Sequence, residues 1–300
     1  MLGLGRSGPV AEHEASGETE RVYHEVRQTL RVTGVNLIFR TWAASGRLLP
    51  TVWDALRPSL ETRAFEDAAD RLRAEAVRAG DTLGRVGAPA HARLGQSQAA
   101  QVRDALDLYR YVTPKLLLLA SAVRLALDGE APARPGAGGD ERILPGVPGR
   151  MYPMEMVPEE PDEDRIRDLF RDIRETLGLD RVNSVYRTLA LWPDYLEPAW
   201  RGLKPLTGAA GYREAADLLR ERSRELAGGL PQPVPLSREQ VKEAGEDADE
   251  LVRTTEKFEG LIPGVVLNVV LFALDWDGAE ALARSPFPAP ARASAPGGAA

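Results

Sequence analysis

VNLIFRTWAASGRLLPTVWDALRP (35–58) is answered 147 residues later by VNSVYRTLALWPDYLEPAWRGLKP (182–205). Aligned without a gap, nine of the 24 positions are identical: Val35/Val182, Asn36/Asn183, Arg40/Arg187, Thr41/Thr188, Ala43/Ala190, Leu49/Leu196, Trp53/Trp200, Leu56/Leu203 and Pro58/Pro205. Unrelated stretches of average composition agree at roughly one or two such positions. The two therefore read as copies, and the periodicity inside each copy decides the fold. Leu48, Leu49, Val52, Trp53 and Leu56 lie on one helical stripe, and Tyr195, Leu196, Ala199, Trp200 and Leu203 repeat it. Asn36 and Asn183 suit helix N-caps. Ser45-Gly46 and Trp192-Pro193 separate two helices in each copy, and Pro58 and Pro205 end the second. No alternating strand pattern appears. The expected fold class is all-α, with two homologous helical repeats packed about a pseudo-twofold axis, an intramolecular imitation of a homodimer.

The same register extends both ways. Upstream, Tyr23 faces Phe170 and Val26 faces Ile173, while Arg27, Thr29 and Leu30 recur as Arg174, Thr176 and Leu177. Downstream, FEDAADRLR (65–73) recurs as YREAADLLR (212–220). The spacing then becomes 149, where PKLLLLASAVRLALDG (114–129) answers PGVVLNVVLFALDWDG (263–278). The expected units are 10–129 and 157–278. Residues 130–156, rich in Pro and Gly, form a surface linker between them. The end of the chain, 285–300, reads as a loose tail.

Composition narrows the function. The chain has 300 residues, 43% of them hydrophobic and 28% charged, with a net charge of -7. That balance argues against nucleic acid or an acidic membrane as partner, because both require a positive footprint. There is no cysteine, which removes thiol nucleophiles, disulfides and Cys-based metal sites and fits a cytoplasmic protein. The start, MLGLGRSGPV, lacks the apolar run of a signal peptide. The greasy runs 116–127 and 261–274 fall short of the roughly 18 to 20 residues that span a bilayer and read as buried helices. GxxxxGK(S/T), GxSxG and HExxH are absent, and His13, His24 and His91 are scattered, so no cofactor and no metal are expected. A chain that already imitates a dimer has little need of a partner, and monomer or weak homodimer is expected.

ERVYHEVRQTLRV (20–32), FRTWAASGRLLPTVW (39–53), LETRAFEDAADRLRAEA (60–76), TPKLLLLASA (113–122) and LDWDGAEALARSPFP (274–288) together resemble the group I 2-haloacid dehalogenases, which act on both D- and L-2-haloacids. The resemblance spans almost the whole chain. It implies hydrolysis without cofactor: an aspartate activates a water, which displaces halide from the α-carbon with inversion. Such a reaction needs a base holding water in line behind the carbon–halogen bond, donors for the substrate carboxylate, and a receiving site for halide.

Carried over residue by residue, the resemblance marks Thr62 and Glu66 as catalytic candidates. They share one helix face at i and i+4, although a solvated Thr/Glu pair has the same spacing. The other half carries Ala209 and Arg213 there, so a Glu66–Arg213 pair across the pseudo-axis is conceivable. In the family the aspartate lies eight residues before the Pro of the Trp-Pro, which here is Val185; its mate is Ile38. Thr113 matches a pocket asparagine. Asn36, Asn183, Tyr186 and Val185 complete the candidate substrate-binding set. For the asparagines N-capping is the competing reading, and for Tyr186 it is core packing. Arg40 and Arg187 are candidates to hold a carboxylate, or else shared scaffold. Two functions stay open: hydrolysis of a small 2-haloalkanoic acid, and a non-catalytic homologue that binds a small carboxylate or is purely structural.

Overall fold

A computed structural model describes residues 8–130 and 141–290. It is helical throughout, and the only β pairing among the described residues is an isolated bridge between Thr62 and Arg142. The all-α expectation holds. The first half contains α1 (Gly17–Leu30), α2 (Leu37–Trp42), α3 (Leu48–Leu60), α4 (Arg63–Leu83) and α5 (Gln96–Leu127). The second contains α6 (Asp164–Leu177), α7 (Ser184–Leu189), α8 (Pro193–Thr207), α9 (Ala210–Gly228), α10 (Arg238–Glu243), α11 (Ala248–Leu274) and α12 (Ala279–Leu282).

The 147-residue spacing recurs in local structure. Helices α1 and α6 both have 14 residues, and α2 and α7 both have six. Each of the longer pair ends on a left-handed residue, Arg31 (φ 59°) and Gly178 (φ 62°). The indole N–H of Trp53 donates to Glu25 at 2.7 Å, and that of Trp200 donates to Asp172 at 2.7 Å. Phe39 meets Trp53 edge-on with centroids 6.0 Å apart, as Tyr186 meets Trp200 at 6.0 Å. An edge-to-face pair adds about 0.5–1.5 kcal/mol beyond its buried area. Helices α5 and α11 each carry an internal proline, Pro114 and Pro263, 149 residues apart.

Four long helices, α4, α5, α9 and α11, pack against one another through the centre. By length and apolarity alone α11 would qualify as a membrane span. Its neighbours explain its composition instead, because Val266, Leu267, Val269, Val270, Leu271 and Phe272 are all buried against protein. The short helices then cross over: α2 of the first half packs on α11 of the second, and α7 of the second packs on α5 of the first. This exchange places the starts of α2 and α7 over the central helices, where the cavity described below lies.

The connecting segment is more tightly held than a plain linker. Within 141–156, Glu141 O accepts from Arg63 N at 2.8 Å, Ile143 N donates to Glu61 O at 3.0 Å and Gly146 N donates to Gln28 O at 2.9 Å. Ile143 and Met151 are buried. The expected loose tail is likewise packed as far as Pro290. Phe287 lies edge-on to Tyr111 with centroids 5.4 Å apart, and its carbonyl accepts from Arg31 at 3.2 Å. Leu144 N also donates to Pro290 O at 3.0 Å, and these are contacts that a Pro/Ala-rich composition conceals. The remainder of both segments, 131–140 and 291–300, lies outside the described residues.

Candidate functional site

A cavity of about 640 Å³ lies where the two halves meet. Its walls come in register: Asn36 with Asn183, Ile38 with Val185, and Arg40 with Arg187 at spacing 147; Tyr109 with Phe258, Thr113 with Ile262, and Leu116 with Val265 at spacing 149. On the central helices one side is polar (Tyr109, Thr113) and the other apolar (Phe258, Ile262). The cavity is thus lopsided although its positions match.

Asn36 and Asn183 hold the N-cap positions of α2 and α7 with extended backbone, yet neither side chain makes a capping hydrogen bond. The capping explanation of these residues therefore fails. Asn36 is buried and its Oδ1 has no partner. A buried acceptor left unpaired costs about 1–3 kcal/mol, which a ligand donor or an ordered water would recover.

Arg40 and Arg187 are each fixed by one bond. Arg40 Nε donates to Val10 O at 3.0 Å and Arg187 Nε to Val157 O at 2.9 Å, two equivalent contacts 147 residues apart. Their terminal Nη groups have no further hydrogen-bond partner among the described residues. Burial lowers the Arg187 pKa, Glu159 opposes that, and the nearby Arg40 charge lowers it again. Two half-buried guanidinium groups facing one cavity repel each other, and an anion between them relieves that repulsion.

Thr113 gives its hydroxyl proton to Tyr109 O at 2.8 Å. Thr188 donates to Glu155 O at 2.7 Å, which leaves Tyr109 OH as donor in its 2.8 Å contact with Thr188 Oγ1. The cavity floor is closed by Val185 and Ile38, both buried. Three carboxylates line the cavity. Asp180 is exposed and ion-paired with Lys257. Glu250 accepts from Arg253 at 2.8 Å. Glu159 is less exposed, with a loose 3.7 Å contact to Arg181 Nε.

The structure brings Asn36, Asn183, Thr113 and Val185 together and leaves three candidates elsewhere. Glu66 is buried, ion-paired with Lys115 and 3.4 Å from the Tyr111 hydroxyl. Arg213, its imagined partner, donates instead to Gly208 O. Thr62 caps α4, accepting from Phe65 N at 3.2 Å. Neither Thr62 nor Glu66 lines the cavity. Lys115 is held below its ordinary pKa, at about 8, because burial outweighs the attraction of Glu66. Tyr186 is in the core, accepting from Asn268 Nδ2 at 2.7 Å and stacked edge-on against Phe272. Sequence reasoning missed Phe258, Ile262 and Val265. The signal was present, since they are the 149-spaced mates of Tyr109, Thr113 and Leu116. Glu159 carried one too, since it is the 147-spaced mate of Glu12.

Comparison with known proteins agrees on one family. Residues 33–186 match the family model described as halocarboxylic acid dehydrogenase DehI. The chain is 31% identical over 279 residues to an (R)-2-haloacid dehalogenase of Pseudomonas putida, covering 88% of this chain and 91% of that protein. It is 33% identical over 232 residues to a configuration-inverting 2-haloacid dehalogenase of Pseudomonas sp. (strain 113), covering 74% of each. Among solved structures, a D-2-haloacid dehalogenase mutant superposes with a TM-score of 0.83 at 28% identity, over 92% of this chain and 97% of that one. Another, a complex of D-2-haloacid dehalogenase with L-LA, gives a TM-score of 0.78 at 26% identity, over 92% and 98%. From its length-wide identity and its helical architecture, this chain belongs to the 2-haloacid dehalogenase family.

Proposed function

We propose that the cavity between the halves binds a small 2-substituted carboxylic acid of the class handled by the relatives, the substrate carboxylate lying between Arg40 and Arg187. The observation that carries this reading is the pair of guanidinium groups, each tied by a single Nε bond and facing a cavity that also holds the unpaired Asn36 oxygen. We propose further that units 10–129 and 157–278 are copies of one ancestral module. The equal helix spans and the duplicated Trp–carboxylate contacts support that.

Hydrolysis in this family's manner removes a proton from water as the oxygen attacks C2 and the carbon–halogen bond breaks. A valine at position 185 cannot take that proton. On this reading the protein binds the acid, and position 185 gives no help to the attack of water. A second reading is favoured by Glu159, the most buried of the three cavity carboxylates and the most loosely paired. There Glu159 accepts the proton and the chain is a cofactor-independent dehalogenase.

Calorimetric titration with D- and L-2-chloropropionate, with halide release measured in parallel, separates them. Wild type is expected to bind, and Arg187→Gln to weaken binding at least tenfold. Halide release is expected in Val185→Asp and not in wild type. Release by wild type that disappears in Glu159→Gln establishes the second reading. No binding of either enantiomer by wild type overturns both.

A further inference from the structure

A second, larger hollow of about 1240 Å³ lies along the outer side of the second half, between α6, α8, α9 and α11. It shares Leu179, Asn183, Leu261 and Val265 with the site cavity, so the two spaces adjoin. At spacing 149 the two central helices differ on this side. Where α5 carries Tyr111 and Lys115, both fully buried, α11 carries Gly260 and Gly264. A Cβ at position 260 would meet nothing within 4 Å. At position 264 the Tyr212 hydroxyl already stands 3.2 Å from where a Cβ would be, so the open space lies at Gly260.

Its chemistry is that of an apolar floor under a rim whose charges are mostly paired, Arg201 excepted. Tyr212 OH contacts Asn268 Oδ1 at 2.6 Å and Gly264 O at 3.0 Å, while Asn268 Nδ2 is spent on Tyr186, so the floor's polar groups satisfy one another. At the rim Arg165 is paired with Asp194 and Glu197, and Lys204 with Asp172. Such a surface offers little to a charged ligand and a good deal to methylene groups.

We propose that the acid taken by the site carries an alkyl chain of several carbons, with its head group between Arg40 and Arg187. Its tail passes Leu179, Leu261 and Val265 to lie over Gly260 and Gly264. This rests on the carboxylate-binding reading above. The chain length that the hollow accommodates distinguishes this substrate class from three-carbon haloacids.

The test titrates full-length protein with lactate, 2-hydroxyhexanoate and 2-hydroxyoctanoate, analogues that cannot lose halide, in wild type and in Gly260→Leu. Each methylene buried in the hollow is expected to tighten Kd about three- to fourfold in wild type. Gly260→Leu is expected to bind lactate as wild type does and to lose the gain with chain length. Equal Kd for all three acids in wild type, or an undiminished gain in Gly260→Leu, overturns the proposal while leaving the carboxylate site intact. If no acid of any length binds wild type, the underlying reading falls and this one with it.

Discussion

Asn36 combines burial, an unpaired carbonyl oxygen and a place on the cavity wall. A side chain so placed trades stability for recognition. Asn36→Ala removes the orphaned acceptor and opens little space, so its unfolding free energy is expected to rise by about 0.5–1 kcal/mol, read from the urea midpoint. The same variant is expected to lose at least tenfold in affinity for 2-chloropropionate. A variant that is destabilised while binding normally would reduce Asn36 to scaffold. Glu66 shows the opposite case. Its spacing to Thr62 was visible in the sequence, but its engagement by Lys115, 49 residues away, was not. Which charges meet inside a core depends on how helices pack, and helical periodicity carries no such information.

Helix boundaries were marked by the chain only in part, since Pro58 and Pro205, expected as helix ends, lie two residues inside α3 and α8. The breaks at Ser45-Gly46 and Trp192-Pro193 do separate α2 from α3 and α7 from α8, because glycine and proline act locally through φ and through a missing N–H. Two glycines show where local reading ends. Gly178 ends α6 in the left-handed region at φ 62°, with open space around it. Gly178→Ala is expected to cost about 1 kcal/mol, the usual penalty for a Cβ in that conformation. Gly202 lies inside α8, where alanine is normally the better residue, yet a Cβ there would fall 2.1 Å from Val86 O. Gly202→Ala therefore costs more, about 2–3 kcal/mol, because backbone must move apart. Chemical denaturation of the two variants side by side checks the order. If Gly202→Ala proves the milder change, α8 does not pack on residue 86 as described.

At the scale of the whole molecule, a buried polar network joins the halves. Ser121 on α5 donates to Glu259 at 3.0 Å and contacts Ser223 at 3.0 Å, while Arg224 clamps Glu259 with two bonds of 2.8 and 2.7 Å. Burial alone would raise the Glu259 pKa, but the Arg224 and Ser121 hydrogen bonds and the neighbouring guanidinium charges outweigh it, and the carboxyl sits below its ordinary value of 4.5. The folded state then binds fewer protons than the unfolded chain. The stabilisation is complete above the unfolded pKa and is lost as pH falls below about 4.5 through the folded value. Stability measured from pH 6 downward is expected to fall less steeply in Glu259→Gln than in wild type. Parallel curves would mean that the network contributes no proton-linked stability.

The sequence by itself determined that the chain is helical, where the short helix of each half breaks from the next, which positions in one half answer those in the other, and that thiol chemistry is absent. These follow from short-range sterics and from a periodicity that survives in any packing. Only the tertiary structure decided which answering positions face one another across a shared cavity, that Glu66 and Tyr186 belong to the core, and that Gly260 on α11 borders open space beside the site. Those outcomes depend on helices crossing from one half onto the other. Burial and partnership are properties of pairs of surfaces, and a single strand of letters specifies each surface without stating what it touches.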